Sequence, residues 1–280
     1  MTTTITLLHP GSMGAAIGAQ AVHAGHRVLW VPEGRSDATR KRAEAAGLTA
    51  ALSLRAALEE CDLVLSVCPP AAASQVAAEV DELGFQGLFV DANAVNPERV
   101  ISMRDTMKAR VLDGSIIGPP PTGQKSARLY VSGHPEGIAR IAGLFAGTTV
   151  EVGAAGDDVG AASALKMAFA SYQKTARTTA AVAHALAAAH GVGDLLIQEA
   201  QRMPAAILSD PGYLPSVAAR GWRWKDEMHD IAVTLRSAGL PADIAEATAS
   251  VLGRWDGDKD RTDMPLDEVF DHLHTSPGGY

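Results

Sequence analysis

One long helical stretch constrains the fold of this chain most strongly. Between Gly160 and Gly191 there is no glycine or proline, and thirteen of residues 161–189 are alanine, the strongest helix former. A helix over residues 161–189 would be roughly 43 Å long, which is more than one compact domain needs. Lysine, glutamine and arginine side chains interrupt it, so it is not a membrane span. The stretch predicts a long helix that links two parts of the chain.

This linking helix has one distinctive face. At about 100° per residue, small and polar side chains fall together there, at Ser163, Lys166, Ala170, Gln173 and Arg177. The other faces are nearly all apolar, so the lysine needs an explanation. It is either a snorkelling residue at an exposed edge or a functional ammonium that lines a cleft. The acidic pair at 157–158 suits the helix start, where the helix dipole favours negative charge.

Composition narrows the class of protein. The chain has 280 residues, which suggests two domains or one large one, and 47% of them are hydrophobic, enough for a real core. A net charge of −8 argues against nucleic acid and anionic membranes as partners. Cys61 and Cys68 are interpreted as free thiols in a reducing compartment. No secretory signal is evident, so we expect a soluble cytoplasmic protein. The histidines lack metal-binding spacing, so we expect no metal site.

The first half begins with a strand, a glycine-containing turn at residues 9–14, a helix and a second strand. Such a turn presents backbone N–H groups and a helix N-terminus to a pyrophosphate. We expect Gly11, Ser12, Met13 and Gly14 to bind a dinucleotide cofactor: Gly11 lets the backbone approach the phosphates, and Gly14 permits close contact between helix and strand. The first glycine of the usual G-x-G-x-x-G pattern is His9 here, which we interpret as a residue that shapes the backbone.

The end of the second strand indicates which cofactor is bound. An acidic residue there normally binds the ribose 2′-hydroxyl of NAD, whereas an arginine accommodates the 2′-phosphate of NADP. Arg35, Ser36 and Arg40 would make a phosphate pocket, while Glu33 argues for NAD but precedes the turn. We favour NADP over NAD. The remaining interpretation is an ordinary solvated loop.

Strands and helices continue to alternate as far as residue 152, which predicts a parallel sheet with right-handed crossovers. The strand ends are polar or proline-rich, at Cys68-Pro69-Pro70, at Asp91–Pro97 and in a loop expected from Asp113 to Pro121. They would gather at the carboxyl edge of the sheet, where ligands bind in such folds.

These motifs, in this order, resemble the 6-phosphogluconate dehydrogenase/β-hydroxyacid dehydrogenase superfamily. The closest resemblance is to a phosphogluconate dehydrogenase-like branch with a distinct C-terminal domain, marked by Gly118–Pro121, Ser163–Met167 and Trp222–Met228. The resemblance implies an α/β Rossmann domain, residues 1–155, followed by an all-α C-terminal domain, residues 156–280, joined by the long linking helix. It also implies a homodimer formed through the helical part.

The resemblance implies a role for Lys166, which follows Gly160 by six residues as the superfamily's catalytic lysine does. There the lysine exchanges a proton with the substrate hydroxyl as hydride passes to the nicotinamide. Cys68, Pro69, Pro70 and Asn93 would line the nicotinamide half of the cofactor. A small-molecule substrate would contact residues on strand ends and on the linking helix, namely Ser115, Ile116, Ile117, Gly118, Ala170, Gln173 and Arg177.

The chain departs from the hydroxyacid enzymes at two places. Phe169 and Ala170 stand where those enzymes have asparagine, and Ile117-Gly118-Pro119 stands where they bind a carboxylate with Ser-Gly-Gly. The second segment is more similar to that of imine reductases, which share the fold but usually lack a lysine at position 166. We expect an NAD(P)H-dependent oxidoreductase that interconverts a hydroxy compound and its carbonyl. The alternatives are an imine reductase that forms a secondary amine and a non-catalytic NADPH-binding dimeric sensor.

The rest of the second half is expected to be helical, with one helix over residues 217–238. Trp224, Met228 and apolar residues at helical spacing form a stripe along it. The stripe is either core and dimer contact or an aromatic wall over a ligand.

Overall fold

A computed structural model describes residues 2–170, 190–200, 202, 214–222, 224–225, 228, 232, 236 and 239–273. The chain divides into two compact units, Met1–Tyr172 and Gln173–Tyr280. The described start of the linking helix, residues 161–170, therefore belongs to the first unit. No helix in the described part of the chain is long and apolar enough to cross a membrane.

The first unit is built on one eight-stranded sheet with the order β3-β2-β1-β4-β5-β6-β7-β8. The strands are β1 Thr4–Leu8, β2 Arg27–Trp30, β3 Thr49–Ala50, β4 Leu63–Ser66, β5 Leu88–Asp91, β6 Arg110–Ile117, β7 Ala127–Ser132 and β8 Val150–Gly156. The reversal of order at β1 and β4 creates a crevice beyond their carboxyl ends, the place where ligands bind in open α/β sheets.

Helices cover both faces of this sheet. They are α1 Ser12–His23, α2 Asp37–Ala45, α3 Leu54–Glu59, α4 Ala73–Glu82, α5 Pro97–Thr106, α6 Pro135–Leu144 and α7, whose described residues are 161–170. A 3₁₀ turn, Pro70–Ala72, precedes α4. The predicted Rossmann fold is confirmed. Helix α6 was not predicted from the sequence, although His134 caps it and Pro135 is its first residue.

Alternating residues of each strand enter two separate cores. Leu63 and Leu65 pack on the face covered by α1 and α6, whereas Val64 packs on the face covered by α4 and α5. Both sides of each central strand are thus buried, which is why these strands are continuous apolar runs rather than alternating ones.

The sheet differs from the predicted all-parallel one at β7, which runs antiparallel to β6 and pairs Ser115 with Tyr130. The connection between them spans only residues 118–126, too short for a helical crossover and long enough for a reversal. Strand β8 then pairs with β7 in parallel, through α6.

The loop predicted from Asp113 onwards is wrong at its start, because strand β6 continues to Ile117. The Asp113-Gly114 pair is typical of a turn, but both residues are buried here. A Cβ at Gly114 would lie 3.1 Å from the Asp91 carbonyl oxygen, so glycine permits β5 and β6 to approach closely. Pairing on both sides of the strand overrides the local turn preference.

The described part of the second unit is helical, as predicted. Its helices are α8 Gly193–Ala200, α9 Leu214–Ala218, α10 Asp243–Leu252 and α11 Leu266–Asp271, with a 3₁₀ segment at Gly253–Asp258. Residues 219–220 form a turn, so the single helix predicted over 217–238 does not begin at 217. Trp224 and Met228 pack against the core around Trp255, which favours the core interpretation of their stripe.

Candidate active site

The turn after β1 takes a strained shape. His9 has φ 65°, in the left-handed region that glycine normally occupies. The Gly11 N–H donates to the His9 carbonyl at 2.7 Å, closing a tight turn. A Cβ at Gly14 would lie 2.6 Å from the same carbonyl oxygen, so only glycine fits there. At Gly11, no atom lies within 4 Å of an added Cβ, which leaves the backbone open to a ligand.

A cavity of about 370 Å³, the turn cavity, opens beside this turn. It brings together most of the residues predicted to bind the cofactor: Gly11, Ser12, Met13, Gly14, Arg35, Cys68 and Pro69. His9, Thr39 and Val67 complete its lining. Strands β1 and β4 thus place two predicted segments, 57 residues apart between Gly11 and Cys68, on one crevice.

The residues after β2 divide into two groups. Arg35 lines the turn cavity, and its Nε is buried without a hydrogen-bond partner among the described residues. Ser36 is exposed and caps α2, accepting a hydrogen bond from the Thr39 N–H at 3.3 Å. Arg40 is also exposed and lines neither this cavity nor the one described next. Thr39, in the first turn of α2, occupies the cavity wall where Ser36 and Arg40 were expected.

A second, smaller cavity of about 190 Å³, the side cavity, adjoins the first. His9 and Arg35 line both, and Glu33 and Glu79 add carboxylates to the side cavity. Burial, followed by the charge of Arg35, lowers the pKa of His9, and Glu79 acts in the opposite direction. The His9 Nδ1 is buried without a hydrogen-bond partner in the described part of the chain.

Asn93 departs from its predicted place beside the nicotinamide, because its side chain is 3% exposed and bonded within the protein. Its Oδ1 accepts from the Cys68 N–H at 2.6 Å, and its Nδ2 donates to Ser66 Oγ and Asp91 Oδ2. Asn93 therefore joins the ends of β4 and β5. Pro70 is exposed, and its carbonyl accepts from Arg99 rather than lining the turn cavity.

Asp91 lies fully buried beneath this junction. Burial raises its pKa to about 6, the hydrogen bonds from Asn93 oppose the rise, and the charge of Asp113 adds to it.

Helix α7 begins against the sheet through Asp113, which lies at the level of Asp91 in the register. The Asp113 Oδ2 accepts from the N–H groups of Gly160 and Ser163, at 3.0 and 2.8 Å, and from the Ser132 hydroxyl. Its Oδ1 accepts from the Ser163 hydroxyl at 2.6 Å. The acid at the helix start is therefore Asp113 from the neighbouring strand, rather than the sequence-adjacent acids at 157–158, which are exposed.

With its start fixed in this way, α7 places Lys166 beside the carboxyl end of β6. The half-buried ammonium donates a hydrogen bond from Nζ to the Ile116 carbonyl at 2.6 Å. Because β6 runs parallel to β5, Ile116 lies at the same edge as Cys68 and Asn93. The structure thus brings Lys166 to the edge on which the turn cavity opens.

The predicted substrate residues are only partly accessible. Ser115, Ile116 and Ile117 have side chains at most 7% exposed, because they belong to β6 rather than to a loop. Gly118, with φ 125°, is the first exposed residue after them. Ala170 is buried on α7. Gln173 and Arg177 lie outside the described residues.

Three residues that shape the site were not assigned these roles from the sequence. Asp113 and Ser132 anchor α7, and Thr39 lines the turn cavity. Asp113 is an acidic residue within an otherwise apolar segment, and a buried carboxylate requires hydrogen-bond partners. That pattern is the signal from which its role could have been predicted. Nothing in the sequence pattern distinguishes Thr39 from Ser36.

Two family models match separate parts of the chain. Residues 4–111 match the model described as NADP oxidoreductase, coenzyme F420-dependent. Residues 187–255 match a domain of unknown function, DUF1932. No curated protein sequence matches the chain.

Solved structures match over nearly the whole length. A reductive aminase from Aspergillus terreus in complex with NADPH and ethyl levulinate has a TM-score of 0.72 at 20% identity, covering 98% of this chain and 100% of that one. The V8 variant of the imine reductase from Myxococcus stipitatus, in complex with NAD⁺, has a TM-score of 0.73 at 18% identity with the same coverage. A conserved protein of unknown function, described as similar to 3-hydroxyacid dehydrogenases, has a TM-score of 0.59 at 22% identity, covering 97% and 100%.

The chain has the fold of the imine reductases and 3-hydroxyacid dehydrogenases. The predicted resemblance is confirmed by the two family models and by this fold. The family model over residues 4–111 supports the predicted class, an NAD(P)-dependent oxidoreductase, and the solved structures show the fold.

Proposed function

We propose that this chain is an NADPH-dependent oxidoreductase that reduces a carbonyl compound, with Lys166 as the proton donor. The observation that carries the proposal is the bond from Lys166 Nζ to the Ile116 carbonyl, which fixes an ammonium at the carboxyl edge of the sheet. The glycine turn opens a cavity at that same edge. A cofactor cradle and a positioned acid at one edge are the two parts that such a reduction requires.

The turn cavity fits a dinucleotide phosphate. The backbone at Gly11 is open, Gly14 permits the tight turn, and α1 directs its N-terminal N–H groups toward the crevice. The unpartnered Nε of Arg35 supplies a positive donor beside it. A 2′-phosphate would complete the bonding of that guanidinium, which supports NADPH over NADH. The family description and the reductive aminase complex agree with this choice, whereas the imine reductase complex with NAD⁺ does not decide it.

When bound, the nicotinamide supplies the hydride. Lys166 supplies the proton that a carbonyl oxygen takes up as it becomes a hydroxyl, and its ammonium stabilises the alkoxide charge that develops. The bond to the Ile116 carbonyl fixes the position of the Lys166 head group.

An imine reductase is the second candidate, and β6 favours it. In the segment where hydroxyacid enzymes, by resemblance, bind a carboxylate with a Ser-Gly-Gly loop, Ile117 is buried at the end of β6, and the exposed residues Gly118 and Pro119 carry no side-chain donor. A substrate without a carboxylate needs no such loop. The solved structures at this fold also include a reductive aminase and an imine reductase.

A substrate screen separates these functions. NADPH consumption would be followed by absorbance with aliphatic and aromatic ketones, hydroxyacid precursors and cyclic imines, in the wild type, Lys166→Met and the control Lys108→Met. Lys108 is exposed and pairs with Asp81 near the amino end of β6. This is the edge of the sheet opposite the turn cavity, so its replacement leaves the site intact.

Ketone reduction that disappears in Lys166→Met, with NADPH binding retained, supports the proposal. Reduction of cyclic imines alone supports the second candidate. Normal turnover by Lys166→Met refutes the role of the lysine, and tight NADPH binding without turnover on any compound favours a sensor.

A further inference from the structure

His9 takes a position that glycine would occupy at lower conformational cost. It is the first residue of the glycine turn, with φ 65°, and the Gly11 N–H donates to its carbonyl to close that turn. Its backbone role therefore gives no reason for an imidazole. The side chain must be explained by what it contacts.

The imidazole contributes to the walls of both the turn cavity and the side cavity, and Arg35 does so too. Each has a buried side-chain nitrogen without a partner among the described residues, Nδ1 in His9 and Nε in Arg35. Two nitrogen groups that lack partners, close to the end of β2, form a site suited to binding an anion. The 2′-phosphate of a dinucleotide is the anion expected at this strand end.

We propose that His9 and Arg35 together bind the 2′-phosphate of NADPH, and that His9 is protonated in the complex, so that NADPH binding takes up a proton. The inference rests on the proposed function, because it assigns a pH dependence to the same cofactor site. It adds a residue that the glycine fingerprint does not contain.

The charges around His9 determine the sign of the effect. Arg35 faces it from the loop after β2 and favours the neutral imidazole, while Glu79 faces it from α4 and Glu33 from the side cavity wall. In the free protein, burial and Arg35 lower the pKa of His9 and so favour its neutral form. A bound phosphate offsets the charge of Arg35 and favours imidazolium. Binding and protonation are therefore linked, and the affinity for NADPH rises as the pH falls.

The test is a fluorescence titration with NADPH and with NADH, from about pH 8 to about pH 6, in wild type, His9→Gly and His9→Asn. Glycine restores the usual fingerprint and relieves the left-handed backbone, so folding is not at risk. Asparagine also tolerates that conformation and keeps a polar side chain that does not titrate. The 2′-phosphate itself titrates near pH ~6, so the two variants provide the baseline for its own protonation.

We expect the dissociation constant for NADPH to fall about tenfold more in wild type than in either variant over this range, with the NADH constants differing by less than about twofold. Equal pH slopes for NADPH in wild type and His9→Gly would overturn the proposal. Equal loss of NADPH and NADH affinity in the variants would also overturn it, because His9 would then act on the shared pyrophosphate or on the fold. Failure of the wild type to bind either nucleotide would refute the proposed function itself.

Discussion

Replacing Asp113 with alanine tests how α7 is anchored to the sheet. The change removes four hydrogen bonds to a fully buried carboxylate, two from backbone N–H groups and two from the hydroxyls of Ser132 and Ser163. At a net contribution of about 1 kcal/mol each, the loss is about 4 kcal/mol of unfolding free energy. Asp113→Asn retains one carbonyl oxygen for the two N–H groups, so we expect it to cost only about 1–2 kcal/mol.

The assay is urea unfolding combined with amide hydrogen exchange. Exchange at Gly160 and Ser163 should accelerate most in Asp113→Ala, because their N–H groups lose their acceptor. Ser163→Ala is the matched control, which removes one of the four bonds and should cost about 1–2 kcal/mol. A loss below about 1 kcal/mol in Asp113→Ala, with unchanged exchange at both amides, would show that α7 is fixed by other contacts.

Two further predictions concern the turn and the buried acid. Gly14→Ala should cost at least about 2 kcal/mol, because the new Cβ would lie 2.6 Å from the His9 carbonyl oxygen. Gly11→Ala, with nothing within 4 Å, should leave stability unchanged in urea unfolding but weaken NADPH binding; equal stability of the two variants would contradict the geometry. Asp91 has a folded-state pKa of about 6, above that of an unfolded chain, so its ionisation opposes folding. Its contribution to stability should decline by about 2 kcal/mol between about pH 4 and about pH 6, and unfolding at several pH values should show Asp91→Asn gaining on wild type over that range. A constant difference between them would refute the raised pKa.

The residues of the turn cavity could be predicted from the sequence because their motifs lie at the ends of strands. The glycine turn, Arg35 and the Cys68-Pro69 segment were predicted separately and line one cavity, because strand ends of a doubly wound sheet meet at one edge. Residues 161–170 are helical, and Lys166 on this helix donates to the Ile116 carbonyl, while its catalytic role stays a prediction.

The structure could not be predicted from the sequence where tertiary contacts override the conformation that a segment prefers locally. Asp113-Gly114 has the composition of a turn, yet both residues lie within β6, because neighbouring strands pair on both sides and α7 supplies partners for the carboxylate. Asn93 was expected to face the cofactor, but its amide joins β4 to β5. A motif places a polar residue near a site, whereas its rotamer and partners decide whether it faces the ligand.

The cofactor site itself can be tested directly by titrating the purified protein with NADPH and NADH, following nicotinamide fluorescence, in wild type, Arg35→Ala and Arg40→Ala. Arg35 lines the turn cavity, while Arg40 is exposed and outside it. We expect Arg35→Ala to weaken NADPH binding about 10- to 100-fold, the loss of charge-assisted bonds to a phosphate, with little effect on NADH. Arg40→Ala should bind both nucleotides as wild type does. A wild-type preference for NADH, or equal NADPH affinity in wild type and Arg35→Ala, would contradict the assignment of this cavity to NADPH.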